Sequence, residues 1–221
     1  MTNHNSYTLE NILEAYWDLE AEKKWIRELT NYIVEKKFDN NLDDNNLDEF
    51  RNDVRRITAG YYLMKEKFWE KERNSGERYF EHLIDVAKIS LDLPNPSITK
   101  VLISLYHDAI EDTDAEFNDI KFVSSDFKVA LAVEAISKKD WQEYSEDEDK
   151  WKKLRNIEYF SHLETFEKMS EYVNNLSIEK WYKLTTYEIN EITQNIFDVK
   201  FSDRIHNLST EWNINNIQKV K

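Results

Sequence analysis

Turn-forming residues are almost absent from this chain. Its 221 residues include only two glycines, Gly60 and Gly76, and two prolines, Pro94 and Pro96. Because β-sheet proteins need many tight turns, and turns depend on glycine and proline, this scarcity argues against a sheet. Aromatic residues make up 14% of the chain and can fill a core despite the many charged residues. The sequence therefore predicts an all-α fold.

The charge and the lack of cysteine exclude several kinds of protein. The formal net charge of −14 disfavours nucleic-acid binding, because the phosphates would be repelled. Without cysteine the chain can form neither a disulfide nor a thiolate metal site. No apolar run approaches the roughly 18 residues of a membrane span, and the N-terminus lacks the apolar core of a signal peptide. We expect a cytoplasmic protein without nucleic-acid or membrane partners, and the sequence leaves its oligomeric state open.

Apolar residues recur every three or four positions along most of the chain, which is typical of amphipathic helices. Helices are predicted over approximately 8–36, 46–71, 78–91, 97–111, 124–139, 140–172, 177–190 and 193–209. The stretch between 112 and 123 is predicted to be an acidic loop. Residues 1–45 are predicted to add a helical layer to a single domain spanning 46–221.

The segment SLYHDAIEDT, which begins at Ser104, places a histidine and three carboxylates among apolar neighbours. In a helix, Asp108 shares a face with Glu111 and Asp112, and His107 shares one with Glu111. Crowded acids are costly to bury unless a cation offsets their charge. Imidazole and carboxylate ligands suit Mn, Fe, Zn or Co better than Ca. The segment is therefore a candidate metal site, with a solvent-facing helix end as the alternative.

Two further segments carry residues of the same kinds. RNSGERYFEH ends in His82, and VKFSDRIHNLST contains Asp203 and Asn207. Asp203 and Asn207 are four positions apart, so they share one face of a helix. His206 points in another direction around that helix and suits a structural role.

In the order RxSGExYxxH, HDxxEDT and DRxHNxxT, these segments resemble the HD-domain hydrolases of the RelA/SpoT type, which remove the 3′-diphosphate from (p)ppGpp. AISKK, which ends at residue 139, stands where that family has a TKL turn. The resemblance covers about residues 55–139 and 197–212. It implies the helical HD fold and a metal-dependent phosphohydrolase.

The resemblance also implies roles for individual residues. One divalent metal, Mn²⁺ in this family with Fe, Co or Zn as alternatives, would be held by His82, His107, Asp108 and Asp203. The attacking water would be positioned and deprotonated by Glu111 and Asp112. Arg73 would lie along the guanine base. Further contacts with the nucleotide would come from Ser75, Asn207 and Thr210.

The chain departs from the family pattern at several positions. Asn74 stands where the family commonly has a basic residue, and Arg78 and Leu83 stand where it commonly has proline. Taken singly, Arg73 also fits an ordinary loop position and Thr210 a helix cap. The metal chemistry is therefore better supported than the identity of the substrate.

The spacing between the second and third motifs is longer than in the family. Asp203 follows Asp108 by 95 positions, and the surplus falls within about 145–195. We predict a helical insertion there that covers the pocket or forms a new surface. Because the chain ends soon after the last motif, we expect a stand-alone small alarmone hydrolase.

Three functions remain open on the sequence. The first is hydrolysis of (p)ppGpp to GDP or GTP and diphosphate. The second keeps the site but acts on another nucleotide, such as ppApp, NADPH or a deoxynucleotide, as Asn74 and the insertion suggest. The third is a regulatory protein that binds a nucleotide or a partner without turnover. Retention of every implied ligand and of both water-handling acids favours an enzyme, whose metal with Arg73, Lys200 and Arg204 would form a positive pocket.

Overall fold

The computed structural model describes residues 20–39, 46–68, 71–73, 78–138 and 148–211. Within these ranges the chain is helical and forms no strand, so the all-α prediction is confirmed. The helices are α1 (Glu20–Phe38), α2 (Leu47–Lys67), α3 (Tyr79–Asp92), α4 (Ile98–Tyr106), α5 (Ala109–Asp112), α6 (Phe117–Ser124), α7 (Phe127–Ile136), α8 (Glu148–His162), α9 (Phe166–Glu179) and α10 (Thr186–Glu211). None of the helices described is both long and apolar enough to cross a membrane.

Helix α4 forms the centre of the core. It packs against α2, α3, α7 and α10, and all of its residues except Thr99 are buried. Ser97 begins the helix by accepting a hydrogen bond from the backbone N–H of Lys100 at 3.2 Å. The buried ammonium of Lys100 lies 2.7 Å from a carboxylate oxygen of Asp198. This ion pair ties α10 to α4 five residues before Asp203.

The helical layer predicted at the N-terminus is present as α1, which packs on α3. Its fully buried residues are Ile26, Leu29, Thr30 and Ile33. Their three- and four-residue spacing is the pattern from which the helix was predicted. Residues 1–19 and 40–45 lie outside the described ranges, and the domain boundary at residue 45 stays a prediction.

The predicted insertion at about 145–195 is helical where it is described. It comprises α8, α9 and the first turns of α10. Helix α9 packs on α7, α8 and α10, whereas α8 contacts the rest of the molecule less extensively. This region is therefore anchored to the core through α9.

Two predicted helices are each divided in the structure. The helix predicted over 97–111 ends at Tyr106, and Ala109 begins a separate short helix. The helix predicted over 140–172 is divided after His162, because Thr165 caps a new helix by accepting from the backbone N–H of Lys168 at 3.2 Å.

Two other predicted boundaries are wrong. The acidic loop between 112 and 123 contains α6, which begins with a reciprocal capping box formed by Glu116 and Asp119. The helix predicted over 177–190 is interrupted at Trp181, whose φ of 65° is left-handed and ends α9. At Trp181 the local helix end overrode the apolar periodicity, and at Glu116 a capping box starts a helix where the acids had suggested a loop.

Close packing at Gly60 gives a first testable prediction. A Cβ atom added at Gly60 would overlap the phenol oxygen of Tyr106, whose side chain is fully buried. We expect Gly60→Ala to lower the free energy of unfolding by about 1–2 kcal/mol in a urea titration, because overpacking outweighs the gain of about 1 kcal/mol in helix propensity.

The control for this prediction is Tyr106→Phe. The phenol oxygen of Tyr106 is buried and has no hydrogen-bond partner in the described part of the chain. Removing it should cost little by itself and should recover part of the lost stability when combined with Gly60→Ala, because the ring carbon Cζ would still lie 2.9 Å from the added Cβ. A Gly60→Ala variant at least as stable as the unaltered chain would contradict the steric argument.

Candidate metal centre and cavity

Residues from three separate helical segments converge on one buried point. His82 lies in α3, His107 and Asp108 join α4 to α5, and Asp203 lies in α10. One ligand atom each from His82, His107 and Asp203 can be chosen so that all three lie within 4.8 Å of one another. Adjacent side chains on a regular helix diverge by about 100°, so the helix break lets both members of the His107–Asp108 pair face this point.

The distances show how the four implied ligands share the site. The Oδ1 atom of Asp203 lies 3.3 Å from Nε2 of His82 and 3.6 Å from Nε2 of His107. The Oδ2 atom of Asp108 lies 3.2 Å from Nε2 of His107 and 4.0 Å from Nε2 of His82. The structure therefore brings all four residues together, with Asp108 at the edge of the group.

The orientation of His107 fits a metal ligand. Its Nδ1 lies 2.7 Å from the carbonyl oxygen of Ser104, to which only an N–H can donate. A neutral imidazole with this proton on Nδ1 has its lone pair on Nε2. That Nε2 is fully buried and lacks hydrogen-bond geometry towards any residue described in the structure. A cation placed between it and the two carboxylates would satisfy it.

The pKa shifts of these groups have the direction expected where two buried aspartates share a positive charge. Burial opposes the charges of Asp108 and Asp203, but His107 holds the pKa of both carboxyls far below its usual range. Burial likewise opposes the charged form of His107, but these carboxylates raise its pKa to about 10. Burial lowers the pKa of His82 to about 4. A divalent cation would provide the charge that a proton on His107 provides otherwise.

Tyr79 holds two of the acids in place, although no role was predicted for it. Its hydroxyl donates to Oδ2 of Asp108 at 2.8 Å and also hydrogen-bonds Asp112. Burial, with Asp108 and Asp112, raises the pKa of Tyr79, so it remains a phenol donor. Its ring stacks on that of Phe68 at the end of α2, with centroids 4.2 Å apart. The tyrosine of the first motif was the signal that pointed to it.

The two acids predicted to handle water occupy different surroundings on α5. Glu111 pairs with Lys138, whose Nζ lies 2.7 Å from its Oε1. Asp112 pairs with Tyr79 and lies 3.6 Å from Nζ of Lys71. Both carboxylates line the cavity described next, so both are accessible to a bound substrate.

A cavity of about 370 Å³ opens directly onto the ligand group. Ligand pockets of several hundred Å³ are typical of small-molecule sites. Its charged lining consists of four carboxylates, Asp108, Glu111, Asp112 and Asp203, and four cationic side chains, Arg73, Lys138, Lys200 and Arg204. The remaining lining residues are His82, Tyr79, Asn207, Tyr159, Phe160 and Leu163. The charges of the acids and bases therefore balance before a metal is added.

The residues predicted to contact the nucleotide differ in their placement. Asn207 donates to Oδ1 of Asp203 at 2.8 Å and accepts a hydrogen bond from Nη2 of Arg73, and both line the cavity. Nη1 of Arg73 is buried and has no partner among the described residues. Thr210 does not line the cavity and donates to the backbone of its own helix at 3.0 Å. Ser75 lies outside the described residues.

Helix α8 supplies a wall of the cavity that the motifs could not indicate. Tyr159, Phe160 and Leu163, at and just after the end of α8, line the cavity. Two lysines lie close to the ring of Tyr159, with Nζ of Lys138 at 5.2 Å and Nζ of Lys200 at 5.6 Å from its centroid. The predicted insertion therefore borders the pocket, which was one of its two expected roles.

One comparison with known proteins agrees with the geometry. Over 99 residues the chain is 34% identical to a guanosine-3′,5′-bis(diphosphate) 3′-pyrophosphohydrolase from Aquifex aeolicus (strain VF5). The aligned segment covers 44% of this chain but only 14% of that protein. No protein-family model and no solved structure matches the chain. The similarity supports a relationship to a hydrolase of this type over part of the sequence.

Proposed function

We propose that this protein is a metal-dependent phosphohydrolase that releases the 3′-diphosphate of (p)ppGpp as diphosphate, leaving GDP or GTP. The observation that carries the proposal is the buried Nε2 of His107, which faces the carboxylates of Asp108 and Asp203 beside a cavity lined by equal numbers of acids and cations. The partial similarity to a pyrophosphohydrolase indicates the class of substrate.

The ligand group would hold the metal, and nearby residues would handle water and protons. A divalent metal held by His82, His107, Asp108 and Asp203 would lower the pKa of water and offset charge on the attacked phosphate. Glu111 accepts the proton of the attacking water as its oxygen bonds to phosphorus. The bond from phosphorus to the ribose 3′ oxygen then breaks, and that oxygen takes the proton that Glu111 accepted, which returns Glu111 to its carboxylate form.

The charges of the cavity explain how an acidic protein would bind a polyanion. Acids and bases in the lining balance, so a bound divalent cation makes the cavity positive while the chain as a whole carries −14. The local field decides binding, because phosphate groups enter the cavity and do not contact the rest of the surface. Substrate affinity should therefore depend on the metal.

Substitution of Arg73 tests the predicted nucleotide contact. We expect Arg73→Met to raise KM for ppGpp by roughly 2–30-fold, because a guanidinium stacked on a ring contributes about 0.5–2 kcal/mol. Binding of Mn²⁺, measured by calorimetry, should change little, since Arg73 reaches Asp203 only through Asn207. An unchanged KM would exclude Arg73 from substrate binding.

Direct assay tests the proposed reaction. The full chain is incubated with Mn²⁺ and ppGpp labelled in the 3′-diphosphate, and the products are separated by chromatography. We expect labelled diphosphate and GDP in equal amounts, and none without metal. No release of diphosphate at micromolar enzyme would overturn the proposal.

The wall formed by α8 supports a second candidate, hydrolysis of another nucleotide. Tyr159 and Phe160 come from the predicted insertion, so this part of the cavity belongs to a region where the chain departs from the family pattern. Asn74, at a position that is commonly basic in the family, also departs from it. A panel containing ppGpp, ppApp, NADPH and deoxynucleoside triphosphates decides between the candidates, and faster turnover of a compound other than ppGpp would favour the second.

A further inference from the structure

A third buried histidine, His206, contacts the side of His82 that faces away from the proposed metal ligands. His206, on α10, is 5% exposed, and its Nδ1 lies 2.8 Å from Nδ1 of His82. The two ring centroids are 4.8 Å apart. One of these nitrogens must donate and the other must accept, because two lone pairs at this distance repel each other. The contact lies on the side of His82 opposite the proposed metal ligands.

The far side of His206 faces a carboxylate. Its Nε2 lies 3.5 Å from Oδ2 of Asp85, which stands one helical turn after His82 on α3. Asp85 also lies 3.4 Å from Nζ of Lys88, which in turn pairs with Glu28 of α1 at 2.9 Å. Burial opposes the charge of Asp85, but His206 and Lys88 hold the pKa of that carboxyl below its usual range.

With a metal bound at the ligand group, these contacts fix a direction along the chain of groups; without one, ionised Asp203 would accept a proton from Nε2 of His82 just as Asp85 accepts one from His206. An ionised carboxylate accepts only, so Nε2 of His206 carries the proton that faces Asp85. A neutral His206 then offers a lone pair at Nδ1, and His82 donates to it from its own Nδ1–H. The lone pair of His82 is left on Nε2, the atom that lies 3.3 Å from Asp203.

We propose that His206 and Asp85 act as positioning residues, forming a relay that keeps the Nε2 lone pair of His82 directed at the metal. The inference rests on the metal site of the proposed function, but not on the identity of the substrate. The reverse direction would place the His82 proton on Nε2, where it would donate to Asp203 and block the ligand atom. The carbonyl oxygen of Ser104 holds the proton of His107 on Nδ1 and so leaves the lone pair on Nε2. The relay has the same effect on His82.

The first test is the affinity of the full chain for Mn²⁺, measured by titration calorimetry. Loss of a group that orients a metal-bound histidine typically weakens metal affinity by about 10–100-fold. We expect that loss in His206→Phe and in Asp85→Leu, and rescue in His206→Gln, whose amide can accept from one partner and donate to the other. Ser202→Ala serves as the control, because it removes a buried hydroxyl of α10 that bonds only within its own helix.

A second measurement uses the unaltered chain and does not depend on the folding of a variant. Nitrogen-15 NMR of the Zn²⁺-loaded protein should show His206 protonated at Nε2 and unprotonated at Nδ1. Protonation at Nδ1 would overturn the relay, as would unchanged Mn²⁺ affinity in both His206→Phe and Asp85→Leu. Absence of metal binding by the unaltered chain would overturn both the relay and the proposed site. If His206→Phe and Asp85→Leu weakened Mn²⁺ binding as expected but the unaltered chain did not hydrolyse ppGpp, only the proposed reaction would be overturned.

Discussion

Asp203→Asn is expected to abolish metal-dependent hydrolysis and to weaken Mn²⁺ binding by more than about 100-fold. This loss exceeds the one expected when a group that only orients a metal ligand is removed. The carboxylate of Asp203 lies close to both imidazoles, 3.3 Å from Nε2 of His82 and 3.6 Å from Nε2 of His107. The amide has the same shape and can still accept the hydrogen bond from Asn207, so the fold should survive. Only the charge and the ligand strength of this oxygen are lost.

Thermal unfolding measures this effect without a substrate. A metal present at 100 times its Kd stabilises the folded state by about 2.7 kcal/mol, which raises Tm. The unaltered chain should show this rise with Mn²⁺, and Asp203→Asn should not. Asp48→Asn is the control, since the side chain of Asp48 is 87% exposed on α2 and does not line the cavity. An Asp203→Asn variant that keeps both the Mn²⁺-induced rise and the activity would contradict the assigned ligand.

The sequence could predict the parts of the site that are local in the chain. The His107–Asp108 pair and the two acids that follow it are visible as one crowded segment. Spacing alone does not show that His82 and Asp203 lie near the His107–Asp108 pair, because a long separation in the sequence does not reveal the distance between residues in the folded chain. That expectation came from the order of three motifs. The helix break that turns both His107 and Asp108 towards one point was missed, since apolar periodicity continues through it.

Residues outside the assigned motif positions were the hardest to predict. Tyr79 was within a quoted motif and Lys138 within AISKK, so a signal existed for both. Tyr159 and Phe160 had none, because their roles depend on how α8 packs beside the core. Helices with strong apolar periodicity, such as α3, were predicted nearly to the residue. Boundaries set by caps, such as Thr165, were not, because capping is decided by single side chains.

Glu111→Gln is expected to lower kcat for the proposed reaction by about 10²–10⁴-fold while Mn²⁺ affinity changes little, because a positioned general base contributes about that factor. The Oε1 atom of Glu111 lies 2.7 Å from Nζ of Lys138, and a glutamine oxygen can still accept this hydrogen bond. The variant therefore removes the proton acceptor but keeps the shape of the cavity and the ligand group of His82, His107 and Asp203.

The combination of kcat and metal affinity distinguishes the roles of Glu111 and Asp203. Loss of a ligand lowers both quantities, whereas loss of the base lowers kcat alone. Glu164→Gln is a matched control, since Glu164 forms an exposed ion pair with Lys168 at the surface. If Glu111→Gln lost Mn²⁺ binding as Asp203→Asn does, Glu111 would be a metal ligand. If kcat were unchanged, the proton would have to go to Asp112, the other acid on α5 that lines the cavity.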